Sequence, residues 1–165
     1  MNAFHTLAGF NQWANGRIFD GVEGLPESDY RLDRDAFFGS IHNTLNHLLL
    51  VDRLWTGRIK GKPITVTGLT DILYDDFTEL RRARDKEDDA LIELVDSLSE
   101  NALKTPIDYR STDGTQYKTP PWIIFTTLFN HQTHHRGQVH TMLTQYGIKP
   151  PEMDVIYYAR ENGVE

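Results

Sequence analysis

Apolar residues recur near the helical period in the first segment. There Phe4, Leu7, Ala8, Phe10, Ala14, Ile18 and Val22 predict an amphipathic helix over about Ala3–Gly24. The stretch "GLPESD" ends it with Gly24 and Pro26. A second helix is predicted over about Ala36–Ile59, where "SIHNTLNHLLLVDRLW" is apolar around much of its circumference and should be deeply buried. "GKPITVTGL" then breaks the pattern with Gly61, Pro63 and Gly68. The third helix, about Asp75–Leu103, is the most polar and is expected at the outside of the fold. The fourth opens at "PPW", where proline suits the first turn, and runs to Gly147, a natural C-terminal stop.

Between the third and fourth helices, "PIDYRSTDGTQYKTP" sets Asp113–Gly114 between short runs of strand formers, which predicts a small β-hairpin. The tail "PPEMDVIYYAREN" predicts one short helix after two prolines. No internal repeat or low-complexity tract appears. The pattern predicts an all-α fold, a four-helix bundle forming a single domain over residues 1–165. Its connections are longer than up-down-up-down loops need, so a crossover topology is open and the packing order is not fixed.

Composition narrows the function. Apolar residues at 39% and charged residues at 25% fit an ordinary globular domain. A formal net charge of −7 argues against nucleic acid, whose phosphates need clustered Lys and Arg. The locally basic "LRRARDK" (Leu80–Lys86), enclosed by acidic residues, reads as a solvated helix face with i,i+4 ion pairs. No apolar run reaches bilayer-spanning length and the start lacks a charged n-region, so a cytoplasmic protein with no membrane partner is expected. There is no cysteine, which removes disulfides, thiolate metal sites and a cysteine nucleophile together. Any metal must be held by nitrogen and oxygen, and any thiol must come from outside the chain.

The candidate chemistry sits in "HQTHHRGQVH", residues 131–140, which holds four of the seven histidines. On a helical wheel His135 lies about 40° from His131, while His134 lies about 60° off on the other flank and competes as a partner. His140 falls about 180° away and cannot join His131 in one site. An i,i+4 histidine pair can converge on one ion, but Gln132 stands where a helical metalloprotease carries glutamate. His47 sits mid-helix in "TLNHLLLVDRL", where an unpartnered imidazole would be costly. On spacing alone it reads as structural. His42, about 140° away, points elsewhere, and His5 has no comparable context. Three histidines from two facing helices would leave an open coordination position, as in catalytic zinc-type sites.

The segments "FNQWANGRIFDGVEGLPESDY", "GSIHNTLNHLLLVDRLW" and "FNHQTHHRGQVHTML" resemble the DinB family, also called DinB/YfiT-like, over essentially the whole chain. "HHRGQ" and the histidine of "TLNH" are the most specific parts. The resemblance implies a four-helix bundle with a divalent metal held by His47, His131 and His135, and so favours His135 over His134. It also implies an enzyme of thiol-dependent transfer, since family members of known activity include thiol-dependent transferases and a thiol-dependent isomerase. A metal-dependent hydrolase, a non-catalytic metal-binding bundle or interaction module, and metal sequestration are the competing readings.

Three imidazoles suit zinc, nickel, copper or iron, with zinc or nickel the expected ion and iron next. A small-molecule substrate, a low-molecular-weight thiol and a homodimer complete what the resemblance implies. Gln138 and Asn43 are the expected pocket residues, Gln138 also as a hydrogen-bond partner behind the ligands. Asp52 and Arg136, about 140° from the ligand stripe of their own helices, are expected in buried or interfacial ion pairs. Trp13, Trp55, Tyr157 and Tyr158 read as core residues, some of them walling a pocket mouth.

Overall fold

The computed structural model describes residues 3–164. Its long helices are α1 (Ala3–Val22), α3 (Ile41–Ile59), α4 (Phe77–Ser97) and α6 (Pro121–Tyr146). Short elements join them: α2 (Glu27–Tyr30), α5 (Glu100–Lys104), the strands β1 (Ile107–Arg110) and β2 (Gln116–Thr119), and α7 (Val155–Asn162). The fold is thus mostly helical with one antiparallel hairpin, in which Ile107 faces Thr119 and Arg110 faces Gln116. Its tip is the predicted Asp113–Gly114, with Gly114 at φ 86° and the Asp113 carboxylate accepting from the Thr115 amide.

Local chemistry explains the helix ends. Ser40 caps α3 by accepting from the Asn43 amide, and Asp76 caps α4 by accepting from Glu79. α6 opens with Pro121 and stops at Gly147, whose φ of 93° suits glycine. Two boundaries differ from the periodicity. The second long helix begins at Ile41, because Asp35 and Gly39 take positive φ and an Ala36–Gly39 bridge closes a turn ahead of the cap. The third ends at Ser97: Leu98 turns extended and Ser99 caps the separate α5 through the Ala102 amide.

Around the bundle, α1 packs on α4 and α6, while α3 packs on those same two helices. α1 and α3 are therefore diagonal, as are α4 and α6. The crossover topology left open by the loop lengths is the one adopted. Ile18, Phe19, Ile41, Leu45, Leu48, Leu80, Val139 and Leu143 form the main apolar cluster, with a second around Ala8, Leu91, Phe125 and Leu128.

A ring of buried polar groups ties all four long helices together. Asp52 on α3 meets the Arg84 guanidinium at 2.7 Å and accepts from the Gln132 amide at 2.6 Å. Arg84 also meets Asp88 at 3.0 Å on its own helix. Asp88 accepts from the amides of Asn11 and Asn15, whose oxygens accept from Arg136, and Arg136 donates on to Gln132 to close the ring. Asp52 is in the expected buried ion pair; Arg136 instead spends its hydrogen bonds on neutral amides. Two expectations for α4 are overturned. Leu80, Ala83, Leu91 and Val95 pack inward, so the helix is no outer layer. Within "LRRARDK", Arg84 is 1% exposed rather than solvated, and Arg81 reaches across to Asp20 on α1 and to Glu23 just beyond its end.

Candidate metal centre

α3 and α6 pack directly, and their facing stripes bring His47, His131 and His135 together. One ring nitrogen from each lies within 4.8 Å of the others, and His47 Nε2 meets His131 Nε2 at 3.0 Å. The ring centroids are 4.4–4.9 Å apart. His47 and His135 are buried and His131 is half-buried. Burial and mutual repulsion drive the His131 pKa down to about 3; burial lowers His47 and His135 as well. Three neutral imidazoles thus gather one ring nitrogen each around one point, a donor set suited to a cation.

The far side of two rings is fixed. His47 Nδ1 donates to the Leu69 carbonyl at 2.8 Å, and His135 Nδ1 donates to Gln138 Oε1 at 2.7 Å. A proton committed to Nδ1 leaves each Nε2 as the free lone pair, the arrangement that orients metal-ligating histidines. Gln138 therefore stands behind His135, as expected for a partner of the ligands. His131 Nδ1 is buried with no partner among the described residues, so its lone pair or proton is uncompensated by them.

Phe38 closes one side. Its ring stacks on His47 at 3.9 Å and meets His135 edge-on at 5.3 Å. Asn43 is exposed, and its side-chain amide donates to the Phe38 carbonyl. Neither Phe38 nor Leu69 was found from sequence. Phe38 lay in a stretch assigned to the second helix, and a backbone carbonyl carries no side-chain signal.

The remaining candidates fall outside the group. His134 is exposed, with Gln138 at 3.4 Å, although its ring touches that of His135. His42 bonds the Tyr30 hydroxyl and His5 pairs with Asp96. His140 lines a separate cavity of about 380 Å³ with Arg136 and Tyr157, on the far side of α6. Trp13, Trp55, Tyr157 and Tyr158 are half-buried rather than core: Trp13 packs on Tyr158, and Trp55 on Tyr109.

Two results are expected from this geometry. Gln138→Ala frees the His135 ring, and divalent-metal affinity should fall about 10–100-fold with the fold intact. A chelator competition showing unchanged affinity would count against the orienting role. The second concerns acid stability of the chelator-stripped chain. His42, His47, His131 and His135 all have pKa values held below 6.5 in the folded state. Below pH 6.5 the unfolded chain binds protons that the folded chain refuses, so stability falls as pH falls, down to about 3 for His131. Asp88, raised to about 6, takes up its proton in the folded state first and offsets part of the loss. The urea midpoint should be lower at pH 5 than at pH 7.5, and equal midpoints would contradict the burial argument.

Known proteins are similar to this chain in sequence and in fold. A "Protein DinB" of Bacillus subtilis (strain 168) is 28% identical over 159 residues, covering 90% of this chain and 89% of its own length. The crystal structure of a DinB-like protein from Bacillus cereus ATCC 10987 superposes with a TM-score of 0.65 at 19% identity. That match covers 86% of this chain and 91% of the other, and it speaks to the fold. The DinB family profile matches residues 1–164, which takes in all four bundle helices and all three converging histidines. The chain belongs to the DinB family.

Proposed function

We propose that this protein is a divalent-metal-dependent enzyme whose ion is held by His47, His131 and His135, and that it transfers a small thiol to an electrophilic substrate. The observation that carries the reading is the donor set. Among the described residues no carboxylate joins the three histidines, so the protein supplies three ligands and not the fourth that closes a structural site. When bound, a divalent ion supplies Lewis acidity that lowers the pKa of a water or thiol.

The chain's own groups divide the remaining work. Leu69 and Gln138 hold the Nδ1 protons of His47 and His135, so these rings serve as ligands and not as bases. Phe38 shields the His47 ring from water. With no cysteine in the sequence, a thiol nucleophile arrives as a low-molecular-weight cosubstrate. Three imidazoles suit zinc, nickel, copper or iron, and zinc or nickel is the ion proposed, with iron next.

The test is a screen of metal-loaded protein against thiols paired with varied electrophiles. Thiol-dependent turnover, abolished alike by chelation and by His135→Ala, is the expected result. Hydrolysis supported by water, with no gain from thiols, would replace the transferase with a hydrolase. Metal binding without turnover under either nucleophile would leave a binding or sequestration role.

A further inference from the structure

Arg58 lies on the same face of α3 as His47, eleven residues and roughly 16 Å further along the axis. Its guanidinium sits in the corner made by two aromatic rings set at 75° to each other, 4.5 Å from the Trp55 ring and 4.9 Å from that of Tyr109. A planar guanidinium lies flat on at most one of two such rings, and the edges turned away from the aromatic corner keep their N–H groups for another partner. Those edges have no hydrogen bond or ion pair within the described residues, while Arg17, Arg31, Arg53, Arg81 and Arg84 all have carboxylate partners. Burial disfavours its charge, which an anion would restore.

The free edges border a cavity of about 240 Å³ that Arg110 also lines, together with Thr65 and Thr112. Arg110 makes only a 3.4 Å contact to the Gly114 carbonyl. Among the described residues no acidic side chain lines this cavity, in a chain of net charge −7. Its wall exists because residue 57 is glycine: a Cβ there would sit 2.8 Å from the Lys62 carbonyl oxygen and push the Lys62–Pro63 backbone away.

We propose that this cavity is a binding site for a phosphate group, held between Arg58 and Arg110 with Thr65 and Thr112 donating from their hydroxyls. Two guanidinium forks and two hydroxyls present donors from several directions, which suits a tetrahedral dianion better than a planar carboxylate. The contacts with Trp55 and Tyr109 hold Arg58 beforehand, so little side-chain entropy is lost on binding.

The test is an amide NMR titration of the full chain at constant ionic strength, with inorganic phosphate, glycerol 2-phosphate and acetate as probes. Saturable shifts at Thr65, Ser111 and Thr112 are expected with both phosphates and not with acetate. Tighter binding of glycerol 2-phosphate marks an esterified ligand, and tighter binding of inorganic phosphate a free one. Arg58→Met keeps an apolar stem between the two rings, and Arg110→Gln alters only an exposed strand end. Each should weaken phosphate binding by about tenfold or more, the worth of a charge-assisted hydrogen bond. Metal content should stay at the wild-type level in both, which separates this site from the three-histidine reading. Wild-type phosphate affinity in both variants, or acetate binding as tightly as phosphate, would overturn the proposal.

Discussion

His131→Ala is expected to leave the purified protein without its divalent ion, and His47→Ala and His135→Ala to do the same. The wild-type chain, stripped and reloaded, should retain about one ion per chain, since three imidazoles form one convergent set. Removing one ring leaves two nitrogens and a hole that water must fill. The loss should exceed the roughly 10–100-fold cost of removing a hydrogen-bond partner behind a ligand. His131 is the sharpest of the three tests. Its ring meets His47 directly at 3.0 Å, and its own Nδ1 has no partner to lose among the described residues, so the substitution removes a ligand and little else. His5→Ala and His140→Ala are the controls: one ring pairs with Asp96 and the other lines a different cavity, so both variants should bind the ion normally. Elemental analysis of tag-free protein gives the readout. Full metal content in a His131→Ala/His135→Ala double variant would remove the site.

Much of this centre was legible in the sequence because helical spacing is a strong constraint. The i,i+4 relation placed His131 and His135 on one stripe and turned His140 away, and the structure keeps that division. Spacing could not decide between His134 and His135, which flank His131 at similar angles. The choice follows from how α6 rolls against α3, a property of tertiary packing. Nor could it place Phe38, because the turn that carries this ring depends on positive φ at Asp35 and Gly39. The available clue was Ser40, a good N-cap three residues before Asn43, which argues for a helix start at Ile41.

The misplaced residue with the largest consequence is Arg84. Leu80, Arg84, Asp88, Leu91 and Val95 recur at helical spacing, so the charged pair sits inside the apolar stripe of α4. That pattern was visible, yet the local excess of charge suggested a wet face. What resolves the conflict is the set of partners brought by other helices: Asp52 from α3, and Asn11 and Asn15 from α1 around Asp88. The ring also reaches α6 through Gln132 and Arg136, next in sequence to His131 and His135. It ties α6 to both α3 and α1 beside the histidine stripe.

Arg84→Met tests that ring and should be strongly destabilising. The substitution leaves the carboxylates of Asp52 and Asp88 buried without their shared cation, and breaking a buried pair in this way costs about 3–5 kcal/mol. For a chain of this size the melting temperature should fall by about 6–20 °C. Arg81→Met, three positions earlier, removes ion pairs with the exposed Asp20 and Glu23 and should cost no more than about 1 kcal/mol. The loss at Arg84 also carries a pH signature. Burial already raises Asp88 to about 6, and removing the Arg84 charge must push both carboxyl groups higher still. A folded-state pKa above the unfolded value of 3.8 means that the folded chain binds more protons, so stability falls as pH rises through that window. The gap between Arg84→Met and wild type should therefore be narrower at pH 5 than at pH 8, while Arg81→Met shows little such dependence. Equal melting temperatures for Arg84→Met and Arg81→Met would mean that the ring does not hold the bundle together.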